Sequence, residues 1–206
     1  MVRLHQFPNV FSLHAHKTIG IMGGSFNPAH DGHNHIADRA VETLGLDELW
    51  WLVSPQNPLK THDGMAAFDA RLKTALSVAR HSRHAPRMRI SPLEAHLGTR
   101  LTYQTLTHIR RRSRGAKMVW IMGSDNLMNF HRWRRPDVIS RTMAIAVVSR
   151  PGSQQVRSSR GAKIAGQCVP PRRMRIRQFP PRHWCYIQGK LNHQSATAIR
   201  QKQSSV

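Results

Sequence analysis

The sequence has little cysteine and no long apolar run. Among its 206 residues there are 2 cysteines, Cys168 and Cys185, which are too few for a disulfide scaffold or a zinc site of their own. We expect both to be free thiols in a reducing compartment. No apolar run approaches the roughly 20 residues of a membrane helix, and the N-terminal residues lack the apolar stretch of a secretory signal. The expected location is therefore cytoplasmic.

Acidic residues are also scarce. The chain has 10 Asp and Glu against 32 Lys and Arg, a formal net charge of +22, and no carboxylate follows Asp137. Such a surface attracts polyanions, so nonspecific polyanion binding is expected and a basic nucleic-acid-binding protein is one functional hypothesis. Against that hypothesis, the most basic segment, 150–182, has only Phe179 for base stacking and no nucleic-acid-binding fold signature.

The apolar content, 39% of the residues, is enough for one core and predicts a single domain. We expect an N-terminal extension over residues 1–17 and a domain over 18–206, with a basic insertion at about 150–182. That insertion is rich in Arg, Pro, Ser, Gly and Gln. Its composition is typical of loops and extensions.

Short apolar runs alternate with amphipathic stretches, which is the pattern of a parallel sheet covered by helices. The predicted strands are 18–22, 48–53, 87–91, 118–122, 142–148 and 184–188. The predicted helices are 32–44, 65–80, 102–112 and a short terminal helix at 195–201. This order predicts an α/β fold with a doubly wound, Rossmann-like parallel sheet and helices on both faces.

The strongest functional signal is the run GGSFNPAHDGH, which links the first strand to the first helix. Gly23 and Gly24 allow a ligand to approach the backbone, and the helix start directs free N–H groups to the same point. His30 and His33 are spaced so that both imidazoles can face one anion and stabilise a reacting phosphate. A polyphosphate would draw both rings toward the charged form. A histidine pair alone is most often structural, but its strand–turn–helix setting favours a phosphate site.

This run resembles the first signature of the HxGH nucleotidyltransferase superfamily, whose members transfer a nucleotidyl group from a nucleoside triphosphate to a phosphate acceptor. The run SATAIR at 195–200 resembles the second signature, a Ser/Thr-rich turn followed by Ile-Arg. Between them, LTYQTL at 101–106 and IMGSDNL at 121–127, with Phe130 and Trp133, are similar to the bacterial nicotinate-nucleotide adenylyltransferases. The four motifs cover the chain from about Thr18 to Arg200.

Two positions depart from the family pattern. Asn27 stands where the family usually has Asp, which keeps a turn-forming side chain and removes one negative charge. Gln194 stands where an apolar residue usually opens the second signature. We interpret both as tolerated variation, because neither touches the histidines or Arg200. Nothing in the family pattern explains the charge of the 150–182 segment.

The resemblance implies a reaction and residue roles. The acceptor phosphate would attack the α-phosphorus of ATP in line while pyrophosphate leaves, without a protein nucleophile. The implied catalytic residues are His30, His33 and Arg200. The implied ATP-binding residues are Gly23, Gly24, Ser25, Phe26, His30, His33, Gly123, Asp125, Ser195, Thr197 and Arg200. The implied acceptor-binding residues are Ser25, Lys60, Thr102, Tyr103 and Trp133. The implied cofactor is Mg²⁺, bound through the ATP phosphates and water rather than by a protein metal site.

For several of these residues a structural interpretation stands beside the functional one. Lys60, as a single lysine in a charged chain, is more often solvated than bound to phosphate. Asp125 can be the N-cap of the helix that follows it. Trp133 can be a core tryptophan instead of a residue that stacks on a pyridine ring. Trp50 and Trp51 lie inside a predicted strand, and we expect them to pack in the core.

The implied function is adenylyl transfer from ATP to nicotinate mononucleotide, which forms deamido-NAD and pyrophosphate in NAD biosynthesis. The nearest alternatives are the same chemistry on nicotinamide mononucleotide or phosphopantetheine, and cytidylyl transfer. Aminoacyl-tRNA synthetases also carry HxGH, but their chains are far longer and they have a Lys-rich second signature that this chain lacks.

Overall fold

Strands and helices alternate along the chain. A computed structural model describes residues 2–4, 16–55, 65–113, 115–152, 155–176 and 180–189, together with residues 192, 194 and 199. The strands are β1 (Arg3–Leu4), β2 (Thr18–Gly24), β3 (Glu48–Val53), β4 (Met88–Ser91), β5 (Lys117–Gly123), β6 (Ala144–Val148), β7 (Gln167–Cys168) and β8 (His183–Ile187). The α-helices are α1 (Asp31–Leu44), α2 (Phe68–Arg80), α3 (Leu93–His96), α4 (Thr102–Arg112), α5 (Ser124–Met128), α6 (Pro136–Thr142), α7 (Arg160–Ala165) and α8 (Pro171–Ile176).

In the described part of the chain, eight strands form one sheet in the order β1-β4-β3-β2-β5-β6-β8-β7. Every pair of neighbouring strands is parallel. Apolar residues of α1, α2 and α8 pack on one face of the sheet, and those of α4, α5, α6 and α7 pack on the other. The predicted doubly wound α/β fold is therefore confirmed.

The central strands show why both faces are covered. All six residues of β3 are buried, and this continuous apolar character is typical of a parallel strand between two helical layers. Trp50 and Trp51 belong to the two different apolar clusters, because consecutive side chains of a strand point to opposite faces. The prediction that both tryptophans pack in the core is confirmed.

The site is positioned by the point where strand order reverses. From β2 the chain adds β3 and β4 on one side, and it then returns to place β5 on the other side of β2. The carboxyl ends of β2 and β5, at Gly24 and Gly123, consequently flank a crevice. Doubly wound sheets bind their ligands at this kind of switch point.

The first helix ends at the predicted residue, Leu44, and begins one residue before the predicted start at Gly32. It begins at Asp31, after the glycine turn, and its C-cap is Gly45, with φ 66° and ψ 46° in the left-handed region. The Gly45 N–H donates to the Val41 carbonyl over 3.0 Å. Glycine adopts this conformation without a side-chain clash, which explains why it ends the helix.

The loop prediction for 150–182 is wrong, because α7, β7 and α8 lie within this segment. The apolar residues of these elements are few and mostly small, so the elements show no apolar pattern within the basic composition of the segment. Ala162 and Ala165 are buried on one face of the sheet and Met174 on the other. Strand β6 corresponds to the fifth predicted strand, 142–148, and it starts at Ala144 because Thr142 still belongs to α6.

The start of the chain also contributes to the sheet. Arg3 and Leu4 pair with β4 through Arg89 and Ile90, and Val2 is buried. The predicted terminal helix at 195–201 lies outside the described residues apart from Ile199. Within the described ranges, no helix combines the length and the apolar character that a membrane span requires.

Both cysteines are free thiols, as predicted. Cys168 is exposed and Cys185 is buried. Burial raises the pKa of the Cys185 thiol to about 12, so this group stays protonated at neutral pH and acts as a small apolar side chain.

Candidate active site

The two glycines that end β2, and the turn that follows them, are held by close packing. A Cβ atom at Gly23 would lie 2.5 Å from the Trp120 ring, so glycine is needed there to accommodate a core tryptophan. Phe26 has a positive φ of 47° and its ring is buried against Trp51, with centroids 5.2 Å apart. The Phe26 ring also lies 4.9 Å from the His33 ring. An aromatic anchor therefore orients the turn and one of the two histidines.

His30 and His33 form a reciprocal cap at the start of α1. Nδ1 of His30 accepts from the Gly32 N–H over 3.1 Å, and Nδ1 of His33 accepts from the His30 N–H over 3.1 Å. This is the geometry of a capping box, with imidazole nitrogens in place of the usual oxygens. Because backbone N–H groups only donate, both Nδ1 atoms must be unprotonated. Each neutral ring then carries its proton on Nε2.

The electrostatics of the site keep His30 neutral. The pKa of His30 is lowered from 6.5 to about 4; burial is the largest cause, the positive charge of Arg150 adds to the shift, and Asp31 partly opposes it. From the sequence, a polyphosphate is expected to draw both rings toward the charged form. For His30 the protein itself favours the neutral form, since a proton on Nδ1 would break the cap.

Gln194, which opens the second signature, lies next to Gly32 of the first. A Cβ atom at Gly32 would lie 2.7 Å from Cε1 of His30 and 3.0 Å from the Gln194 carbonyl oxygen. Glycine between the two histidines is therefore a packing requirement. Gln194 directly precedes the predicted triphosphate-binding Ser195. The chain thus enters its second signature beside the start of α1.

Arg150, which sequence analysis did not single out, lies in the crevice between these elements. Its side chain donates to the Gln194 carbonyl over 2.8 Å and lies 3.8 Å from the Asp125 carboxylate. Its backbone N–H donates to Oγ of Ser124 over 2.8 Å. A guanidinium is therefore fixed between β5, the second signature and the His30 ring, whose pKa it lowers. Its position just after β6 was the available signal, since strand ends line ligand sites in this fold.

Arg71 of α2 is a second residue that sequence analysis missed. Its buried guanidinium donates to the carbonyl oxygens of Ser25 (2.7 Å), Ser54 (2.6 Å), Pro55 (2.8 Å) and Ala66 (3.0 Å). It therefore connects the turn after β2, the turn after β3 and the start of α2. Burial lowers the pKa of this guanidinium from its ordinary value. Nothing in the sequence distinguishes this arginine from an exposed helical cation.

The departure at Asn27 has a structural role. The side chain is buried, and its Oδ1 accepts from the Ala66 backbone N–H over 3.1 Å. An amide oxygen makes this contact without a buried charge, so the turn keeps its attachment to the segment before α2. This contact agrees with our interpretation of Asn27 as tolerated variation.

Three of the predicted acceptor residues, Thr102, Tyr103 and Trp133, lie on the face of the sheet covered by α4–α7. Thr102 and Tyr103 form the first turn of α4 and are half-buried. Trp133 is also half-buried, and its ring packs edge-on against Trp120 and Phe130 at centroid distances of 6.4 and 5.5 Å. The Trp133 ring therefore packs on the core while part of its surface stays accessible.

Buried Glu94, also missed by sequence analysis, ties the start of α4 to the end of β3. It accepts from Oγ1 of Thr105 over 3.2 Å and also bonds to the side chain of Ser54. Burial raises the pKa of this carboxyl, and the two hydrogen bonds oppose the shift.

The structure brings most of the predicted ATP-binding residues to one crevice and leaves others undescribed. The predicted residues on the turn after β2, at the start of α1 and at the end of β5 are Gly23, Gly24, Ser25, Phe26, His30, His33, Gly123 and Asp125. Asp125 lies in the first turn of α5, whose N-cap is Gly123, so the alternative of Asp125 as the N-cap is wrong. Lys60, Ser195, Thr197 and Arg200 lie outside the described residues.

Comparison with known proteins gives consistent matches. Residues 21–202 match the cytidylyltransferase-like family. The chain is 41% identical over 192 residues to a probable nicotinate-nucleotide adenylyltransferase of Roseobacter denitrificans, covering 91% of this chain and 94% of the relative. It is 55% identical over 133 residues to a probable nicotinate-nucleotide adenylyltransferase of Erythrobacter litoralis. That second alignment covers 65% of this chain and 59% of the relative.

Solved structures support the fold. Plasmodium falciparum nicotinic acid mononucleotide adenylyltransferase complexed with NaAD superposes with a TM-score of 0.72 at 19% identity, covering 90% of this chain and 83% of that one. Its complex with APC gives a TM-score of 0.70 at 18% identity, with the same coverage. With the sequence match over nine tenths of the chain, the histidine cap at the switch point and this fold, the chain belongs to the bacterial nicotinate-nucleotide adenylyltransferase family, within the cytidylyltransferase-like group.

Proposed function

We propose that this protein transfers the adenylyl group of ATP to nicotinate mononucleotide, forming deamido-NAD and releasing pyrophosphate in the cytoplasm. The observation that carries the proposal is the reciprocal cap of His30 and His33, which aims two imidazoles out of a helix start at the switch point of the sheet. Relatives that match nearly the whole chain carry the corresponding name.

The two histidines act as neutral hydrogen-bond donors. In adenylyl transfer, a phosphate oxygen of the acceptor forms a bond to the α-phosphorus of ATP while the bond to the β-phosphate oxygen breaks. Negative charge grows on the oxygens around the α-phosphorus, and Nε2–H groups of His30 and His33 donate to them. Because both rings are already fixed by the helix start, no reorganisation is needed as the charge develops. A donor of this kind contributes about 10²–10³ in rate.

Cations around the crevice hold the leaving pyrophosphate. Arg150 is supported in this role by its position beside His30 and next to the entry into the second signature. From the sequence, Ser195, Thr197 and Arg200 hold the β- and γ-phosphates. The contact of the Gln194 carbonyl with Gly32 supports this assignment, because it brings the preceding residue to the start of α1. Lys60 is a further proposed phosphate contact.

The site fits a Mg²⁺ ion carried by the nucleotide. The Asp125 carboxylate is about half exposed at the carboxyl end of β5, so its oxygens are open to a hydrated ion. Mg²⁺ keeps several waters when it binds through phosphates and one or two carboxylates. When bound, the ion would neutralise part of the charge on the phosphate oxygens.

The acceptor binds on the side of α4. Thr102 and Tyr103 bind the ring carboxylate, Trp133 lies over the pyridine ring, and Ser25 contacts the acceptor from the glycine turn. The half-exposed Trp133, fixed at the core by Trp120, supports a rigid stacking surface.

The test is release of pyrophosphate by the purified protein with ATP and a panel of acceptors. Nicotinate mononucleotide should give the highest kcat/KM, above nicotinamide mononucleotide and phosphopantetheine, and CTP should not replace ATP. The His30→Asn variant, prepared in the same way, controls for contaminating activity. A failure to release pyrophosphate with either pyridine nucleotide would overturn the proposal.

A further inference from the structure

A group of exposed cations lies at the edge of the sheet opposite the crevice. All strands are parallel, so their amino ends share this second edge. Exposed cations precede or begin each of the four strands β5, β6, β8 and β7. We name this surface the basic edge and define it by Arg111, Arg112, Lys117, Arg141, Lys163 and Arg182.

Hydrogen bonds place these segments side by side. The Lys117 N–H donates to the Lys17 carbonyl, which fixes the start of β5 beside β2. The Arg182 N–H donates to the Ser140 carbonyl, one residue before Arg141. The Gln167 N–H donates to the Arg182 carbonyl, which brings in the end of α7. The basic edge therefore crosses three strand spacings, about 14 Å.

The cations of the basic edge are largely unneutralised. Among the described residues, only Asp137 forms an ion pair with a member of this set, Arg141. The carboxylates at the other half of the same sheet edge are already engaged. The Asp47 carboxylate accepts hydrogen bonds from the N–H and the hydroxyl of Thr18. The Glu48 carboxylate forms ion pairs with Lys17 and Arg89. Over the part of the chain that the structure describes, the amino edge thus has one half with two carboxylates among its cations and one half on which Asp137 alone pairs with a cation.

The proposed reaction does not explain the basic edge. The strands are five to seven residues long over β5, β6 and β8, which separates the two sheet edges by about 16–23 Å. This distance exceeds the Debye length of about 8 Å at physiological ionic strength, so these charges act only weakly on substrates in the crevice. Helix dipoles favour cations at the ends of α4 and α6, but Lys117 and Arg182 lie outside any helix.

We propose that the basic edge binds the phosphate backbone of a nucleic-acid duplex without reading its sequence. A duplex carries one charge per about 1.7 Å of its axis, so the 14 Å of duplex along this edge carries roughly eight phosphates on its two strands. Four of the six cations are arginines, whose guanidinium groups bind phosphate through two parallel hydrogen bonds. The contributing segments, 107–117, 138–143, 160–167 and 180–183, contain no Phe, Tyr or Trp. These segments therefore offer no aromatic side chain for base stacking, on which the binding of single strands depends.

The experiment measures binding of labelled 20-base-pair DNA and RNA duplexes as a function of salt. The test variant is Arg111→Ala/Arg112→Ala/Lys117→Ala. The matched control is Lys73→Ala/Arg172→Ala/Arg173→Ala, which removes the same charge from exposed positions of α2 and α8 on the other face. Circular dichroism and adenylyl transfer are measured for both, because neither set belongs to the proposed catalytic machinery.

We expect the test variant to lose at least about tenfold in duplex affinity near 0.1 M salt. The slope of log K against log salt should become shallower by about 3, one per lost phosphate contact. The control should lose less than about threefold, and DNA and RNA should behave alike. Equal losses in both variants, no duplex binding by the wild type at 50 mM salt, or tighter binding to phosphatidylserine vesicles than to duplex would each overturn the proposal.

Discussion

The ring centroids of His30 and His33 lie 3.9 Å apart, and each imidazole accepts a backbone N–H at the start of α1 through its Nδ1 atom. The same side chains therefore cap the N-terminus of the helix and face the crevice. A truncation to alanine removes both roles at once. Variants that keep the cap while removing the imidazole separate chemistry from folding.

His30→Asn is expected to keep the helix cap and lose catalysis. Asn is among the best N-cap residues, because its side-chain oxygen accepts the same N–H. We expect its free energy of unfolding to lie within about 1 kcal/mol of the wild type and its kcat/KM to fall at least about 100-fold. Urea unfolding and pyrophosphate release measure the two quantities. His96→Asn, at an exposed position, is the matched control, and more than a tenth of wild-type turnover in His30→Asn would remove His30 from the proposed role.

The stability of the protein should fall as the pH is lowered from about 6.5 to 4. The pKa of His30 is lowered to about 4 in the folded state from an ordinary value of 6.5, so the unfolded chain binds the proton first as the pH drops. The stabilisation that results from the lowered pKa of His30 is fully present above about pH 6.5, and it amounts to about 3 kcal/mol. Between pH 7.5 and 4.5 the wild type should lose about 2–3 kcal/mol more than His30→Asn. Parallel pH profiles for the two proteins would contradict this assignment.

Arg150→Met should raise the pKa of His30, because the positive charge that opposes ring protonation is removed. NMR titration of the His30 ring measures this directly. The same variant should raise the KM for ATP, since one proposed phosphate contact is lost. Arg111→Met, at the opposite edge of the sheet, is the control and should leave both quantities unchanged. An unaltered His30 pKa in Arg150→Met would show that the two side chains do not interact.

Arg71→Lys should destabilise the protein by about 3 kcal/mol, although the charge is kept. One ammonium cannot reach the four carbonyl oxygens that the guanidinium binds, and buried carbonyls without partners are costly. Thermal or urea unfolding measures the loss. Lys73→Arg, an exposed change in the same helix, should be within about 0.5 kcal/mol of the wild type. A loss below about 1 kcal/mol in Arg71→Lys would mean that the turns hold together without this residue.

Nicotinate mononucleotide should be preferred to its amide by at least about tenfold in kcat/KM, equivalent to roughly 1.4 kcal/mol. The ring carboxylate only accepts hydrogen bonds, so a pocket of donors at Thr102 and Tyr103 leaves an amide NH₂ unpaired. Trp133→Ala should weaken both acceptors alike, because stacking does not distinguish acid from amide. Steady-state kinetics with both acceptors decide the matter. Equal efficiency with the two would redefine the protein as a dual-specificity enzyme.

The sequence predicts the central part of the fold well because its strands are continuous apolar runs. The helix at 102–112 and the strand at 48–53 agree with the structure at both ends. The short elements of the 150–182 segment were missed because two-residue and six-residue elements leave no period to detect. The neighbouring layers of the fold bury a few residues of these short elements, such as Ala165 and Met174. This burial sets the positions of the elements.

The site could be predicted where it depends on a local motif and not where it depends on tertiary contacts. The glycine turn and the histidine pair are adjacent in sequence, so their geometry follows from one strand and one helix. Arg71 binds carbonyls from three separate segments, and no local pattern encodes such contacts. The neutral state of His30 also required the structure, since it results from burial and from a guanidinium 120 residues away along the chain.

The sheet order has a consequence for synthesis on the ribosome. The central strand β2 can pair with β3 soon after both have been translated. Its other neighbour is β5, and residues Lys117–Ile121 of β5 pair with Thr18–Met22 of β2. A nascent chain that ends before this strand leaves one side of β2 open and half of the nucleotide crevice missing. Such long-range pairing slows folding and exposes strand edges to misassembly. The nucleotide crevice is therefore complete only late in translation, once β5 has emerged and docked.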